Sequence, residues 1–329
     1  MESLSFALSG KFYRLLPFKL SIKSWWFFVL FASYSFLSYK LLTFNQYQEL
    51  AIQWKQMPLS QLWWFGCVCV LLPVNWLLEA VKWKLLTSKV QKINLRNSFK
   101  AVLAGISTGF ITPNRVGELV GRVMFLHNEN RKSGVTLSIL NSLTQNLIMV
   151  LCGVPAFVLF LYNTSGKLRV NSTLYLSILM ASLIILGLLY FKLPKLSLRI
   201  KKSFLFEEIK KYTDCLSNYK FQDLLKISLV SLVRYLVFCF QFYLMLRFFG
   251  VELSEFQAMI AIPTTYLFVT FTPSVSFAEA AVRSSYAVLV IGAFSGQTVN
   301  IALAGVFIWV INFVIPMLVG SVVLVRKRM

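Results

Sequence analysis

The chain has 329 residues, of which 57% are hydrophobic and only 14% charged, and its mean hydropathy is +0.70. That is more apolar surface than a soluble domain of this length can bury, so the composition points to an all-α polytopic membrane protein. The formal net charge of +21 is gathered in short segments between apolar runs; this is the distribution of cytoplasmic loops facing a membrane surface and argues against a nucleic-acid partner.

Six apolar runs are long enough, or nearly so, to cross a hydrocarbon core of about 30 Å. They cover Trp25–Phe44, Leu62–Val81, Val135–Tyr162, Thr173–Phe191, Leu224–Leu246 and Thr298–Val325. The first follows a basic segment without a small-residue cleavage site, so it is expected to stay as a signal anchor. Two shorter apolar stretches, Ala101–Thr112 and Gln257–Thr272, end at Thr-Pro steps and are each followed by a second short helical stretch. Each pair reads as a re-entrant helical hairpin, tolerated at membrane depth only where it is buried in protein or lines a wet cavity.

Lys and Arg placement sets the orientation. Lys11, Arg14, Lys19 and Lys23 put the N-terminus inside, Lys82 to Lys100 bring the chain back in, the 192–220 segment is strongly basic, and Arg326-Lys327-Arg328 put the C-terminus inside. The Asn163–Ser172 loop falls outside in spite of Lys167 and Arg169. Three spans then separate the hairpins, which enter from opposite faces as an inverted repeat. The expected divisions of this one membrane domain are residues 1–134, 135–223 and 224–329. Within the basic segment, Lys192–Lys226 mixes Leu, Ile and Phe with charge and suggests a helix lying along the inner leaflet, or else a linker.

Charged residues inside apolar stretches cost roughly 2.5 kcal/mol or more unless paired, wetted or bound, and so are functional candidates. They occur here in a duplicated pattern. Thr112-Pro113-Asn114-Arg115-Val116-Gly117-Glu118 leads to Arg122, and Thr272-Pro273-Ser274 leads to Glu279 and Arg283; the Thr-Pro steps are 160 residues apart, about half the chain. Thr at an N-cap followed by Pro at the first helical position suggests that a new helix starts at each tip, offering free N–H groups to an anion. Glu118 with Arg122, and Glu279 with Arg283, are four apart and can meet on one helix face. Two readings stay open: structural salt bridges, or arginines held by glutamates until an anionic head group competes for them.

Arg234 either lines the same path or snorkels to an interface. Asn141, Gln145 and Asn146 suit interhelical hydrogen bonds as well as ligand binding. Glu79 with Lys82 reads as an interfacial pair, and the tryptophans, Trp83 included, read as interfacial belts. The five cysteines, Cys67, Cys69, Cys152, Cys215 and Cys239, read as small hydrophobes, and the one histidine, His127, as a loop residue. No metal-ligand spacing, nucleotide loop or nucleophile–base pair is evident, so no cofactor, metal or enzymatic activity is expected.

The 112–122 motif, together with Asn75-Trp76 and Lys82-Trp83-Lys84, resembles the transmembrane region of lysylphosphatidylglycerol synthases and the flippase-like membrane proteins related to it, over essentially the whole chain. The second motif departs from that family, with Ser276, Ala278 and Ala281 where the family usually has glycine. The resemblance implies movement of a lipid with an anionic head group, phospholipid or polyprenyl-phosphate-linked, between leaflets of a bacterial inner membrane. A secondary transporter of a small anion, and a non-transporting partner of a glycosyltransferase or lipid-modifying enzyme, are the competing expectations.

Overall fold

The computed structural model describes residues 59–328 apart from 111, 113–114, 166–171, 203–213 and 274–275. The expected span Trp25–Phe44 and the candidate site residues Pro113, Asn114 and Ser274 lie outside the described residues. The described residues are helical throughout, with short connections. In chain order they form α1 (Leu59–Thr87), α2 (Leu95–Phe110), α3 (Gly117–Val123), α4 (Arg131–Ser165), α5 (Ser172–Lys202), α6 (Phe221–Phe248), α7 (Glu255–Phe271), α8 (Ser276–Ile291), α9 (Thr298–Trp309) and α10 (Ile315–Arg328). Short 3₁₀ turns precede α4 and α6, and a π-helical turn, Val310–Val314, joins α9 to α10. Five helical stretches among the described residues are long and apolar enough to cross a membrane: Gln61–Thr87, Asn128–Thr164, Ser177–Arg199, Phe221–Phe248 and Thr298–Arg326. The chain is therefore read as an integral membrane protein.

Of the expected surface helix over Lys192–Lys226, residues 203–213 lie outside the described residues. The span helix α5 runs on to Lys202, Asp214–Asn218 is a 3₁₀ turn, and Phe221 already begins α6. The described residues on either side belong to the ends of α5 and α6, because Leu, Ile and Lys extend a helix as readily as they coat a leaflet.

Contacts between helix ends give the bundle its polarity. The Tyr219 hydroxyl donates to the carbonyl of Leu86, and Lys89 pairs with Asp223 at 3.3 Å, so α1 ends where α6 begins. Burial in this junction pushes the Tyr219 hydroxyl pKa upward and the Cys215 thiol up to about 11. At the other end the rings of Phe65 and Phe248 lie 5.3 Å apart and Gln241 donates to the Val68 carbonyl, making α1 and α6 antiparallel. It follows that α2 sets out from the basic end, whereas α7 sets out from the opposite one. At about 1.5 Å per residue, the 16-residue α2 is about 24 Å long and the 17-residue α7 about 26 Å. Each then turns back through α3 or α8.

Small residues let the first returning helix lie against the incoming one. Gly105 and Gly109 on α2 face Gly117 and Gly121 on α3, a small-xxx-small arrangement on both partners. A Cβ on Gly121 would lie 2.6 Å from the Ala104 carbonyl oxygen and 2.7 Å from Gly105 Cα. Across the same helix, Gly320 of α10 sits against the backbone of Leu103.

A side chain at Gly121 therefore has to push two backbones apart. Gly121→Leu is expected to destabilise the purified protein by about 1–3 kcal/mol or more, read as a lowered thermal unfolding midpoint, whereas Gly66→Leu, with open space around its Cα, is expected to leave the midpoint unchanged. Equal midpoints for the two variants would contradict this packing.

Candidate functional site

The turn between α2 and α3 is tied by two threonines of the incoming strand of chain. Thr108 Oγ1 lies 2.7 Å from the carbonyl oxygen of Gly117, and Thr112 Oγ1 accepts the N–H of Gly117 at 2.7 Å. The α-helix α3 starts at Gly117, behind Val116; Pro113, where the Thr-Pro step suggests a start, lies outside the described residues. Thr272 ends α7 instead of opening α8: its N–H and its hydroxyl both donate to the Phe268 carbonyl, and its hydroxyl meets that of Tyr286 at 2.9 Å. A threonine can bond backward to the i−4 carbonyl as well as forward to a helix start, and here it bonds backward at the second tip. The tip residues 113–114 and 274–275 lie outside the described residues. Side chains carry the charge.

At the first tip Arg115 adopts φ +57°, which among the described residues no other non-glycine side chain shares. A left-handed backbone costs of order 1–2 kcal/mol for such a residue. In this position its guanidinium carbon stacks 4.0 Å from the centre of the Phe313 ring and its Nε lies 3.6 Å from Glu279 on α8. The two helix pairs therefore meet, and the pair Arg115–Glu279 joins them. On α8, Glu279 also holds Arg283 at 3.1 Å, the i, i+4 spacing read in the sequence. Arg283 in turn lies 5.1 Å from the Phe313 ring and 5.4 Å from that of Tyr266, so Phe313 stands between two guanidinium groups.

The other half of the site is organised by Glu79, only 2% exposed. One of its oxygens accepts from Arg122 at 2.6 Å and from Asn141 at 2.8 Å; the other lies 3.0 Å from both Lys82 and Arg234. Arg122 also binds Glu118, one turn before it on α3. Gln145 accepts from Lys82 at 3.4 Å and from Arg234 at 3.2 Å, and Arg234 donates to Asn75 at 2.9 Å. Asn75 donates to Asn312 on the π turn at 3.3 Å. Glu79 and Lys82 are thus the buried centre of the network, correcting the expectation of an interfacial pair. Arg122 of α3, Asn141 and Gln145 of α4 and Arg234 of α6 enclose them, and no local pattern shows that. Trp83 is likewise wholly buried, with Arg122 5.6 Å from its ring, in place of the expected belt position. Arg234 does not snorkel; it faces Glu79.

These groups surround one cavity of about 400 Å³. Glu79, Glu118 and Glu279 line it together with Arg115, Arg122, Arg234 and Arg283, Gly117 closing the turn behind them. Thr272 reaches the cavity wall; Pro273 follows it and is not among the lining residues. From α4 come Ser138, Asn141, Ser142, Gln145, Asn146 and Met149, a stripe at helical spacing. Counting Lys82 behind Glu79, five cationic side chains face three carboxylates, a formal surplus of two positive charges. Guanidinium N–H groups of the buried Arg122 and Arg283, and the amide nitrogen of Gln145, have no hydrogen-bond partner among the described residues.

Sequence reasoning did not single out Asn312, Phe313 or Tyr266, and it undervalued Glu79. A signal for the first two does exist: Pro316 follows Asn312 by four residues, removes one backbone donor and crowds that carbonyl, which widens the helix into a π turn. Such turns often carry functional side chains.

Because Glu79 neutralises three buried cations at once, Glu79→Gln is expected to cost about 3–5 kcal/mol, seen as lost folded yield or a much lower melting midpoint in detergent. Glu118→Gln removes a 24% exposed partner of one arginine and is expected to cost less than half as much. A reversed order would show that Glu79 is not the hub.

A family model described as the lysylphosphatidylglycerol synthase TM region matches residues 24–320 of the chain. No curated protein and no solved structure matches it.

Proposed function

The chain belongs to the lysylphosphatidylglycerol synthase transmembrane-region family, and we propose that it is a flippase-like transporter that moves a lipid with an anionic head group between leaflets. The family supplies the lipid context, and the charge of the cavity supplies the sign of the head group. The observation that carries the reading is the side of the cavity formed by α4. Ser142 and Asn146 line the cavity and are also exposed, and Ile139 and Leu143, 45% and 49% exposed, lie beside them on the same face. A cavity that opens sideways along a span helix suits a head group that enters while its tails stay in hydrocarbon. A small soluble anion needs an aqueous route and no such flank.

Depth supports the same reading. Measured along the helices from the basic end, Glu79, Asn141 and Arg234 stand about 12, 15 and 20 Å in, near the middle of a hydrocarbon core of about 30 Å. With the basic end on the cytoplasmic side of a bacterial inner membrane, α2–α3 and α7–α8 are re-entrant pairs inserted from opposite faces, the two arms of an inverted repeat. Their joint is Glu279, a carboxylate shared by Arg115 and Arg283 that an incoming phosphate replaces. Catalysis has no place in this scheme: the chain supplies a path for a head group that otherwise meets a charge barrier of several kcal/mol.

Reconstitution into liposomes tests this with a fluorescent phosphatidylglycerol whose outer-leaflet fraction is read by dithionite quenching. Wild-type protein is expected to move the lipid well above protein-free vesicles, and Arg115→Ala and Arg283→Ala to slow it by roughly tenfold or more while remaining folded. Transport equal in wild type, variants and empty vesicles would refute the assignment.

A further inference from the structure

We infer that the cavity takes a phosphoryl group carrying two negative charges, a phosphomonoester or diphosphate, in preference to a singly charged phosphodiester. The inference rests on the anionic-lipid reading above and narrows it. The charges are not spread evenly but divide into two groups. Around Glu79 and Glu118 stand Lys82, Arg122 and Arg234, three cations against two carboxylates. Around Glu279 stand Arg115 and Arg283, two cations against one. Each half is one positive charge in excess, and both halves line the same cavity except for Lys82, which lies behind Glu79.

A phosphodiester head group neutralises one of these charges and leaves the other buried without a partner. A phosphomonoester above its second pKa of about 6 neutralises both, and its three terminal oxygens match a site rich in guanidinium N–H. The unpartnered donors fall on both sides of the division, on Arg122 and Gln145 in one group and on Arg283 in the other. Phe313 lies 4.0 Å from the Arg115 guanidinium and 5.1 Å from that of Arg283, while both arginines share Glu279. A guest with a single charge has no means of satisfying both halves.

Binding of short-chain lipids to the full-length protein in neutral detergent tests the preference. The probes are dioctanoyl phosphatidic acid, dioctanoyl phosphatidylglycerol and inorganic phosphate, followed by the concentration dependence of the thermal midpoint. At pH 7.5 phosphatidic acid is expected to bind roughly tenfold or more tighter than phosphatidylglycerol, since an added unit charge beside an opposite one in a partly desolvated site is worth at least that much. At pH 5, where phosphatidic acid carries one charge, the ratio is expected to fall to about one. Inorganic phosphate binding far more weakly than phosphatidic acid assigns the group to a lipid; equal binding assigns the same chemistry to a soluble phosphate. Arg115→Gln is expected to abolish the preference for phosphatidic acid, and Glu118→Gln, which adds to the surplus, to strengthen it, so either folded variant suffices. Equal affinities for the two lipids at pH 7.5 overturn the inference and leave the anionic-lipid reading standing, whereas binding of neither lipid removes both.

Discussion

One carboxylate organises this molecule. Glu79 draws Lys82 of its own helix, Arg122 of α3, Arg234 of α6 and the amide of Asn141 on α4 to a single point. Burying four charges is unfavourable unless they neutralise one another in good geometry, so the positions of α1, α3, α4 and α6 depend on one another through that point. The same arrangement fixes the electrostatics of the cavity beside it. Three cations share Glu79, only one of them has a second carboxylate in Glu118, and the remaining positive charge faces the cavity.

The two short helix pairs owe their reach to different devices. In the first, glycines at four-residue spacing let α2 and α3 touch backbone to backbone, and Thr108 and Thr112 bind the turn. In the second, where Ala278 and Val282 stand at the places of Gly117 and Gly121, α8 instead packs its Ser284 on Gly305 of α9, and Thr272 ties the end of α7 to Tyr286. Both routes bring an arginine–glutamate pair to the same cavity. They meet through Arg115 and Glu279, with Phe313 from the π turn as the wall between the guanidinium groups.

Local chemistry was readable in the sequence wherever it stayed local. The helical pairing of Glu118 with Arg122 and of Glu279 with Arg283 follows from four-residue spacing, and the structure has both. The span helices follow from long apolar runs, whose ends drift by a few residues. What depends on contacts between distant parts of the chain was not readable. Glu79 three residues before Lys82 at the end of a span looks the same whether it faces head groups or is enclosed by side chains of α3, α4 and α6. Thr112 and Thr272 have the residue type and proline neighbour of an N-cap, yet the hydroxyl of Thr272 finds its own helix's last carbonyls first. Phe313 has no signature of its own; it enters the site because Pro316 unsettles the helix one turn later.

The proposed transport requires the cavity's excess positive charge to be met by a lipid phosphate. An experimental structure determined in lipid nanodiscs containing phosphatidic acid tests it most directly. The account predicts phosphate density within about 3 Å of the guanidinium groups of Arg115 and Arg283, Glu279 withdrawn from at least one of them, and acyl chains leaving past Ile139 and Leu143. A cavity packed with acyl chain, or closed and dry with both arginines still held by Glu279, would contradict it.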